Sequence, residues 1–356
     1  VRVLVSGAGI AGSVLAYWLA RHGVEVTVVE CEPSPGLMGG HAVGLFRPAL
    51  EISERMGVLA GIRSLAVGAA DPGAVEILRD DLAGVYRAAG GDVEYVFGDS
   101  ITGIDTEGGV TFERMPGREF DVIVGADGLQ STVRRLTLGA DAAQTRYLGA
   151  CVAALSVPKE LAKGSEVVQH VGVGRRAAIY TADHLADARA AFWFRSDEPA
   201  DGGADTADRV RAAFADMHPE VDLWLAELDR TPLSYFAPIS QLRMDRLSRR
   251  RVTLVGDAGY CPGPGIGGAT TLAVLGAYVL AGELARAGGD QLRAFAAYEL
   301  AMREPVRLSR GFSRNALRAL LPSSRIGVRA AARRPTSTMV TPPKGARVHD
   351  SMTLPD

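Results

Sequence analysis

The hydrophobic pattern of the opening residues changes period twice. Arg2 to Ser6 is a short apolar, largely β-branched run, the composition of a strand covered on both faces. Ser13 to His22 switches to helical spacing, with Val14, Leu15, Trp18 and Leu19 recurring on one side, and Gly23 marks its end. Val24 to Glu30 returns to a continuous apolar strand, so the opening predicts a strand–helix–strand unit with parallel strands.

Further along, a Gly/Pro-rich loop (33–44) precedes a helix over 48–56, and extended segments at 92–97 and 121–124 add strands. From about residue 150 the pattern breaks into short strands divided by turns, at 151–157, 166–171, 176–181 and 190–195. That spacing predicts an antiparallel sheet inserted into the parallel one. Residues 205–228 read as one helix, with Val210, Phe214 and Met217 on a side. A buried strand at 251–255 and long helices at 269–284 and 291–320 follow, and the stretch beyond Arg334 is Pro- and Thr-rich and irregular.

Composition narrows the class. Of 356 residues, 47% are hydrophobic and 22% charged, enough to bury a large core. The 39 basic and 41 acidic side chains leave a net charge of −2, which argues against nucleic acid as a partner. Cys31, Cys151 and Cys261 stand far apart with no metal-ligand spacing, so neither a disulfide framework nor a metal centre is expected. The longest uncharged stretch, Ala258 to Gly282, is broken by Pro262, Pro264 and several glycines, too short an apolar helix for the ~20 residues of a membrane span. With no signal-peptide pattern at the start, a soluble cytoplasmic protein is expected.

Between the first strand and helix stands Gly7-Ala8-Gly9-Ile10-Ala11-Gly12, and Glu30 ends the second strand. Gly7 permits the tight turn, Gly9 lets backbone approach a pyrophosphate, and Gly12 allows close helix–strand packing, with Ala11 also among the expected cofactor-binding residues. The helix N-terminus offers free N–H groups to phosphate, and Glu30 would accept from the adenosine ribose hydroxyls. The unit predicts FAD or NAD without choosing between them.

Two later motifs bear on that choice. Gly125-Ala126-Asp127-Gly128 follows the strand Val122 to Val124, and Gly256-Asp257-Ala258 follows the strand Val252 to Val255 and leads into Pro262, Pro264 and Gly267-Gly268-Ala269. With these three motifs in order, residues 1 to about 310 resemble the class A, single-component FAD-dependent aromatic monooxygenases of the para-hydroxybenzoate hydroxylase type, in particular the tetracycline-destructase-like branch. Two positions depart from the family: Tyr260 stands where many relatives have histidine, and Ala269 where a glycine is usual. The segments near Asp71-Pro72 and Thr106 to Gly109 are also short by comparison.

The resemblance implies an α/β fold, a Rossmann-like FAD-binding domain with an inserted antiparallel-sheet substrate domain and C-terminal helices. Residues 1–150 would be the first part of the FAD-binding domain, 151–245 the substrate domain, 246–285 the second part, 286–334 a helical segment and 335–356 the irregular tail. By the same resemblance Asp257 would hold the flavin ribityl chain, and Pro264, Gly267 and Gly268 would lie beside the flavin ring. Asp127 would support the pyrophosphate region, Arg47 and Arg79 would reach FAD, and Ile101 would sit next to the adenine. Asp127 also reads as the cap of a strand-to-helix turn, and either arginine as a solvated surface residue.

The implied activity is insertion of one atom of O2, through a flavin C4a-hydroperoxide formed after NAD(P)H reduces FAD, into a hydrophobic, polycyclic or polyketide-derived small molecule. No dedicated catalytic acid or base is legible. Candidate substrate-lining residues are His170, Tyr180, Trp193, Phe194, Tyr235 and Phe236, of which strand alternation allows about half to face one pocket. A monomer or homodimer is expected. Another FAD oxidoreductase of the superfamily, or a redox-neutral cyclase that keeps FAD as a scaffold, remain the alternatives.

Overall fold

A computed structural model describes residues 1–35, 40–67, 72–164, 166–199, 203, 205–265, 268–332 and 354. The opening unit is β1 (Arg2–Ser6), α1 (Ile10–Arg21) and β2 (Glu25–Glu30). There follow β3 (Ala42–Phe46), α2 (Arg47–Arg55), α3 (Leu59–Ser64), β4 (Ala74–Leu78), α4 (Arg79–Ala89) and β5 (Glu94–Phe97). A small meander, β6 (Ile101–Ile104), β7 (Gly109–Phe112) and β8 (Arg118–Glu119), leads to β9 (Val122–Gly125) and α5 (Thr132–Leu138). The next stretch is β10 (Ala143–Val157), β11 (Val168–Gly172), β12 (Arg175–Tyr180), β13 (Ala188–Arg195), α6 (Thr206–Phe214), α7 (Pro219–Ala226) and β14 (Tyr235–Met244). The chain closes with β15 (Val252–Leu254), α8 (Asp257–Tyr260), α9 (Ala269–Ala287), α10 (Gln291–Leu320) and α11 (Arg325–Ala332).

Five strands form a parallel sheet in the order β15-β9-β1-β2-β5. Alternation divides its side chains between two layers. Val3, Val5, Val26, Val28, Val122 and Val124 pack with α1 and α9, while Leu4, Val29 and Ile123 pack with the meander and Val133 of α5. The second sheet is antiparallel, in the order β11-β12-β13-β10-β14. Its strands lie between β9 and β15 in the sequence, so the chain leaves the parallel sheet and returns to it.

Long helix α10 joins the layers. Phe295, Tyr298, Met302 and Val306 pack with α9 in the first core, whereas Leu317 and the following Leu321 pack on the antiparallel sheet. The helix carries Pro305 in its interior.

Two sequence expectations are corrected, and the short segment at 106–109 takes a definite form. The single helix over 205–228 is two, because Pro219 supplies no N–H and holds His218 extended (φ −169°, ψ 142°). His218 then caps α7, its Nδ1 accepting from the Glu220 amide at 3.2 Å. The first strand of the antiparallel sheet starts at Ala143, with a register shift between Tyr147 and Cys151 that Gly149 (φ +76°) accommodates. The short segment at Thr106 to Gly109 is a tight hairpin in which the Asp105 carboxylate accepts from the amides of Glu107 and Gly109, both at 2.8 Å. The expected tail lies outside the described residues except for Leu354, which packs against the first core.

A Cβ added at Gly12 would lie 1.9 Å from the Gly7 carbonyl oxygen, a backbone atom with nowhere to go. Gly12→Ala should therefore cost about 3 kcal/mol of apo-protein stability, the upper end of overpacking penalties. Urea unfolding checks this, and a variant within ~0.5 kcal/mol of wild type would contradict the packing described.

Candidate functional site

Three strand-to-helix turns meet at the carboxyl edge of the parallel sheet. Gly7 (φ +106°) comes so close to the second turn that a Cβ there would lie 2.6 Å from the Ala126 carbonyl oxygen. Gly256 (φ +67°), which opens the third turn, has its missing Cβ 3.0 Å from the Ala11 methyl. Backbone thus packs on backbone, and a crevice of about 420 Å³ opens above it. Gly9 faces this space: a Cβ there would meet nothing within 4 Å.

Two helix N-termini point into the crevice. Neither α1, which starts after Gly9, nor α9, which starts after Gly268 (φ +91°), has a side-chain cap or an acidic residue in its first turn. Their first residues line the crevice, which leaves orphan N–H donors and two partial positive charges available to a ligand. Glu30 lines it too, but its carboxylate also accepts from the Ala8 amide at 2.8 Å, the Glu32 amide at 3.1 Å and the Cys31 thiol at 3.2 Å. A carboxylate has about four acceptor sites, so one remains for a hydroxyl.

The other expected residues divide. Arg79, Ile101, Pro264, Gly268 and Asp257 line the crevice with Gly7, Gly9 and Ala11. Gly12 lies beneath the turn, and Gly267 falls outside the described residues. Arg47 is an exposed residue at the start of α2 and does not border the crevice. Asp127 borders it, yet its two oxygens hold the next helix, accepting from the Ser131 hydroxyl at 2.5 Å and the Val133 amide at 3.0 Å. Its carboxylate shapes the loop, the capping role the sequence also allowed. Tyr260 points away into the core, where the Tyr298 hydroxyl lies 3.0 Å from its own.

The sequence missed His41 and Asp99, both buried and both lining the crevice. Burial alone would push the Asp99 carboxyl up, but the amides of Met115, Ser100 and Arg114 more than offset it and hold the group below the usual range. His41 sits at the end of a Gly-rich loop with no motif around it, and Asp99 sits in a turn. No sequence signal marked either.

Of the six aromatic candidates, strand alternation puts half on each face of the antiparallel sheet. Tyr180 and Trp193 are buried on the face toward the crevice, and Tyr235 borders the crevice itself, its ring 4.2 Å from that of His41. Phe194 and Phe236 lie on the far face, packed with α6 and α7, so their expected contact with substrate is corrected. His170 is also corrected: it stacks on His218 (centroids 3.9 Å apart, planes 23°) and lies 2.9 Å from Glu220, which Lys163 pairs at 2.7 Å. His170, His218 and Glu220 could nominally hold a metal ion, but nearly parallel stacked rings do not converge on one point within the ~2.1 Å reach of an imidazole–metal bond.

Comparison with known proteins adds to this geometry. A family model described as FAD dependent oxidoreductase matches residues 2–71. An uncharacterised protein of Mycobacterium tuberculosis is 41% identical, the match covering 83% of this chain and 88% of that one. A flavin-dependent monooxygenase of Legionella longbeachae is 30% identical, with 88% of this chain and 87% of its own length covered. The chain belongs to the flavin-dependent monooxygenases. Among solved structures, tetracycline destructase Tet(51) superimposes on this monooxygenase with a TM-score of 0.83 at 29% identity, over 93% of this chain and 94% of that one.

The cofactor of such a monooxygenase is FAD, and the residues present fit it. The uncapped start of α1 beside open Gly9 suits a pyrophosphate, Glu30 a ribose, and the uncapped start of α9 an electron-rich edge of the flavin. Among the described residues no helix is long and apolar enough to cross a membrane.

Asp257 is a buried carboxyl of this monooxygenase. Burial raises its carboxyl above the ordinary 3.8, against the opposing pull of the Arg79 guanidinium. The folded state therefore binds more protons than the unfolded one between the two values, and stability falls as pH rises through the raised one. Apo-protein should lose stability relative to Asp257→Asn as pH climbs from 3.8 toward neutrality. Paired urea titrations measure the difference, and one that stays constant with pH would contradict the raised carboxyl.

Proposed function

We propose that this FAD-dependent monooxygenase uses NAD(P)H and O2 to insert one oxygen atom into a hydrophobic, polycyclic or polyketide-derived small molecule. The observation that carries the reading is the aromatic pair at the antiparallel sheet's edge of the crevice, where Tyr235 packs on His41 (planes tilted by 32°), with Trp193 and Tyr180 buried on the same face of that sheet. The faces of these rings would receive a flat ring system within the crevice. Two neighbours, Tet(51) and Tet(55), at TM-scores of 0.83 and 0.81, are named tetracycline destructases, and a polycyclic ligand accords with that likeness.

FAD, when bound, would take reducing equivalents from the nicotinamide donor and activate O2. The protein's part is to hold, orient and exclude water. Gly7, Gly9, Ala11 and the first turn of α1 would bind the pyrophosphate, and Glu30 the adenosine ribose. Asp257, with Arg79 balancing its charge, would hold the ribityl chain, while Pro264, Gly267, Gly268 and the start of α9 would carry the ring. Ile101 would pack on the adenine. On the substrate side Tyr235 would stack, and Tyr180 would steady the wall, because its hydroxyl accepts from the Ala42 amide at 2.8 Å and so ties β12 to β3.

The purified protein should be yellow, with a flavin absorption spectrum. A polycyclic substrate should accelerate NAD(P)H oxidation with matching O2 uptake and give a product heavier by one oxygen atom. Turnover without donor or oxygen would overturn the reading in favour of a redox-neutral cyclase, and donor oxidation with no oxygen in the product would favour a dehydrogenase. Tyr235→Ala should raise KM for such a substrate roughly tenfold, the worth of one lost aromatic stack, with FAD affinity unchanged. Steady-state kinetics beside a flavin titration separates the two.

A further inference from the structure

Positive charge is unevenly spread along the chain. From Pro305 to His349 the sequence holds ten basic residues and no acidic one, in a protein whose net charge is −2. The described part of that run, the second half of α10 with α11, bears Arg307, Arg310, Arg314, Arg318, Arg325 and Arg329. Arg307 pairs with Glu304, and Arg310 donates to the Leu242 carbonyl at 2.6 Å. The other four are exposed, and among the described residues none of them donates to a protein group or pairs with a carboxylate. Other helices answer several of their arginines three or four residues away: Arg55 by Glu51, Arg211 by Asp208, Arg230 by Glu227 and Arg286 by Glu283.

Apolar surface is bare at the same end. Helical periodicity puts Arg325, Arg329, Ile326 and Ala330 on one arc of α11, and all four are exposed. Ile326 is 79% exposed. The opposite arc, Gly327, Val328 and Ala331, is half-buried, and α11 packs beside β11. The Gly174 amide donates to the Pro322 carbonyl at 2.8 Å, which brings the turn between β11 and β12 next to the link between α10 and α11. At the tip of that turn Val173 is 50% exposed. Two bare aliphatic side chains thus stand close to arginines that have no carboxylate partner.

We propose that this end of the molecule docks on an anionic phospholipid surface: Arg325 and Arg329 pair with lipid phosphates while Ile326 and Val173 dip into the boundary between headgroups and acyl chains. Arg314 and Arg318, in the last two turns of α10, add to the attracting field. Charge draws the surface in, and aliphatic area removed from water holds it. A nucleic acid would take the arginines but offers no apolar layer to an exposed isoleucine, so the bilayer fits both observations. Helix α11 has eight residues, which makes the contact a reversible one on the membrane surface, with no span. The inference is independent of what occupies the crevice.

The test is co-sedimentation of the full chain with vesicles of phosphatidylcholine alone and of phosphatidylcholine mixed with phosphatidylglycerol. Wild type should bind the anionic vesicles at least roughly tenfold more tightly than the neutral ones and be released as salt rises. Arg325→Glu combined with Arg329→Glu should weaken that binding by roughly twentyfold or more, at about fivefold for each positive charge removed. Ile326→Asn, which keeps every charge, should weaken it roughly tenfold. Arg21→Glu, an exposed change on α1 outside the basic run, should leave it unchanged. All these positions are exposed, and wild-type urea midpoints verify that the variants fold. Equal binding to the two kinds of vesicle, or to neither, would overturn the inference, as would an equal loss in Arg21→Glu and the double variant. Wild-type binding by Ile326→Asn that duplex DNA displaces would overturn it in favour of a nucleic acid.

Discussion

Three turns from distant parts of the chain can share one edge of a sheet only if their backbones touch. Gly12 lies under the Gly7 carbonyl, Gly7 lies against the Ala126 carbonyl, and Gly256 lies on the Ala11 methyl. Each contact occurs where a β-carbon would need space already taken by main chain or by a core methyl. The result brings β1, β9 and β15 to a common end, with the N-termini of α1 and α9 on the two sides of one opening. Every feature of the crevice, from the uncapped amides to the placement of Asp257, depends on that close approach.

The antiparallel sheet works differently, through side chains. One face is an ordinary core of Phe192, Phe194, Phe214 and Trp224, with ring centroids of Phe192 and Phe214 5.1 Å apart. The other is a second buried cluster, in which Tyr180, Trp193, Ala150, Ala178 and Ala191 pack with Ala42, Leu78, Leu317 and Leu321. Its two large aromatic residues each have a polar end that is satisfied: Tyr180 by the Ala42 amide, Trp193 by the Gly265 carbonyl. Both bonds reach across from one sheet to segments that border the crevice, so this wall also serves as a clamp.

How much of this was legible in the sequence follows from what each signal encodes. The glycine turns and the apolar strands that precede them were readable because they are local: a few adjacent residues specify both the strand and the tight bend. The parallel core, the long helix from Gln291 to Leu320 and the antiparallel insertion followed from periodicity in the same way. The face of each strand was not readable, because it depends on register, and a step of one residue exchanges Phe194 for Trp193. Residues such as His41 and Asp99 were invisible since nothing beside them in the chain marks them, and only tertiary folding brings them to the opening. Pro219 did announce the break after α6, but helical spacing on either side concealed it.

Helix α10 has a consequence of its own. Its first half is embedded in the core beneath the parallel sheet, and its end is tied to the antiparallel sheet, where the Leu320 carbonyl accepts from Arg176 at 3.1 Å and the Pro322 carbonyl from the Gly174 amide at 2.8 Å. The helix thus behaves as a beam clamped at both ends, with its weakest cross-section at Pro305, where a backbone rung is missing. Any change in the gap between the two sheets, and so in the width offered to a guest, must be paid in elastic bending of that beam.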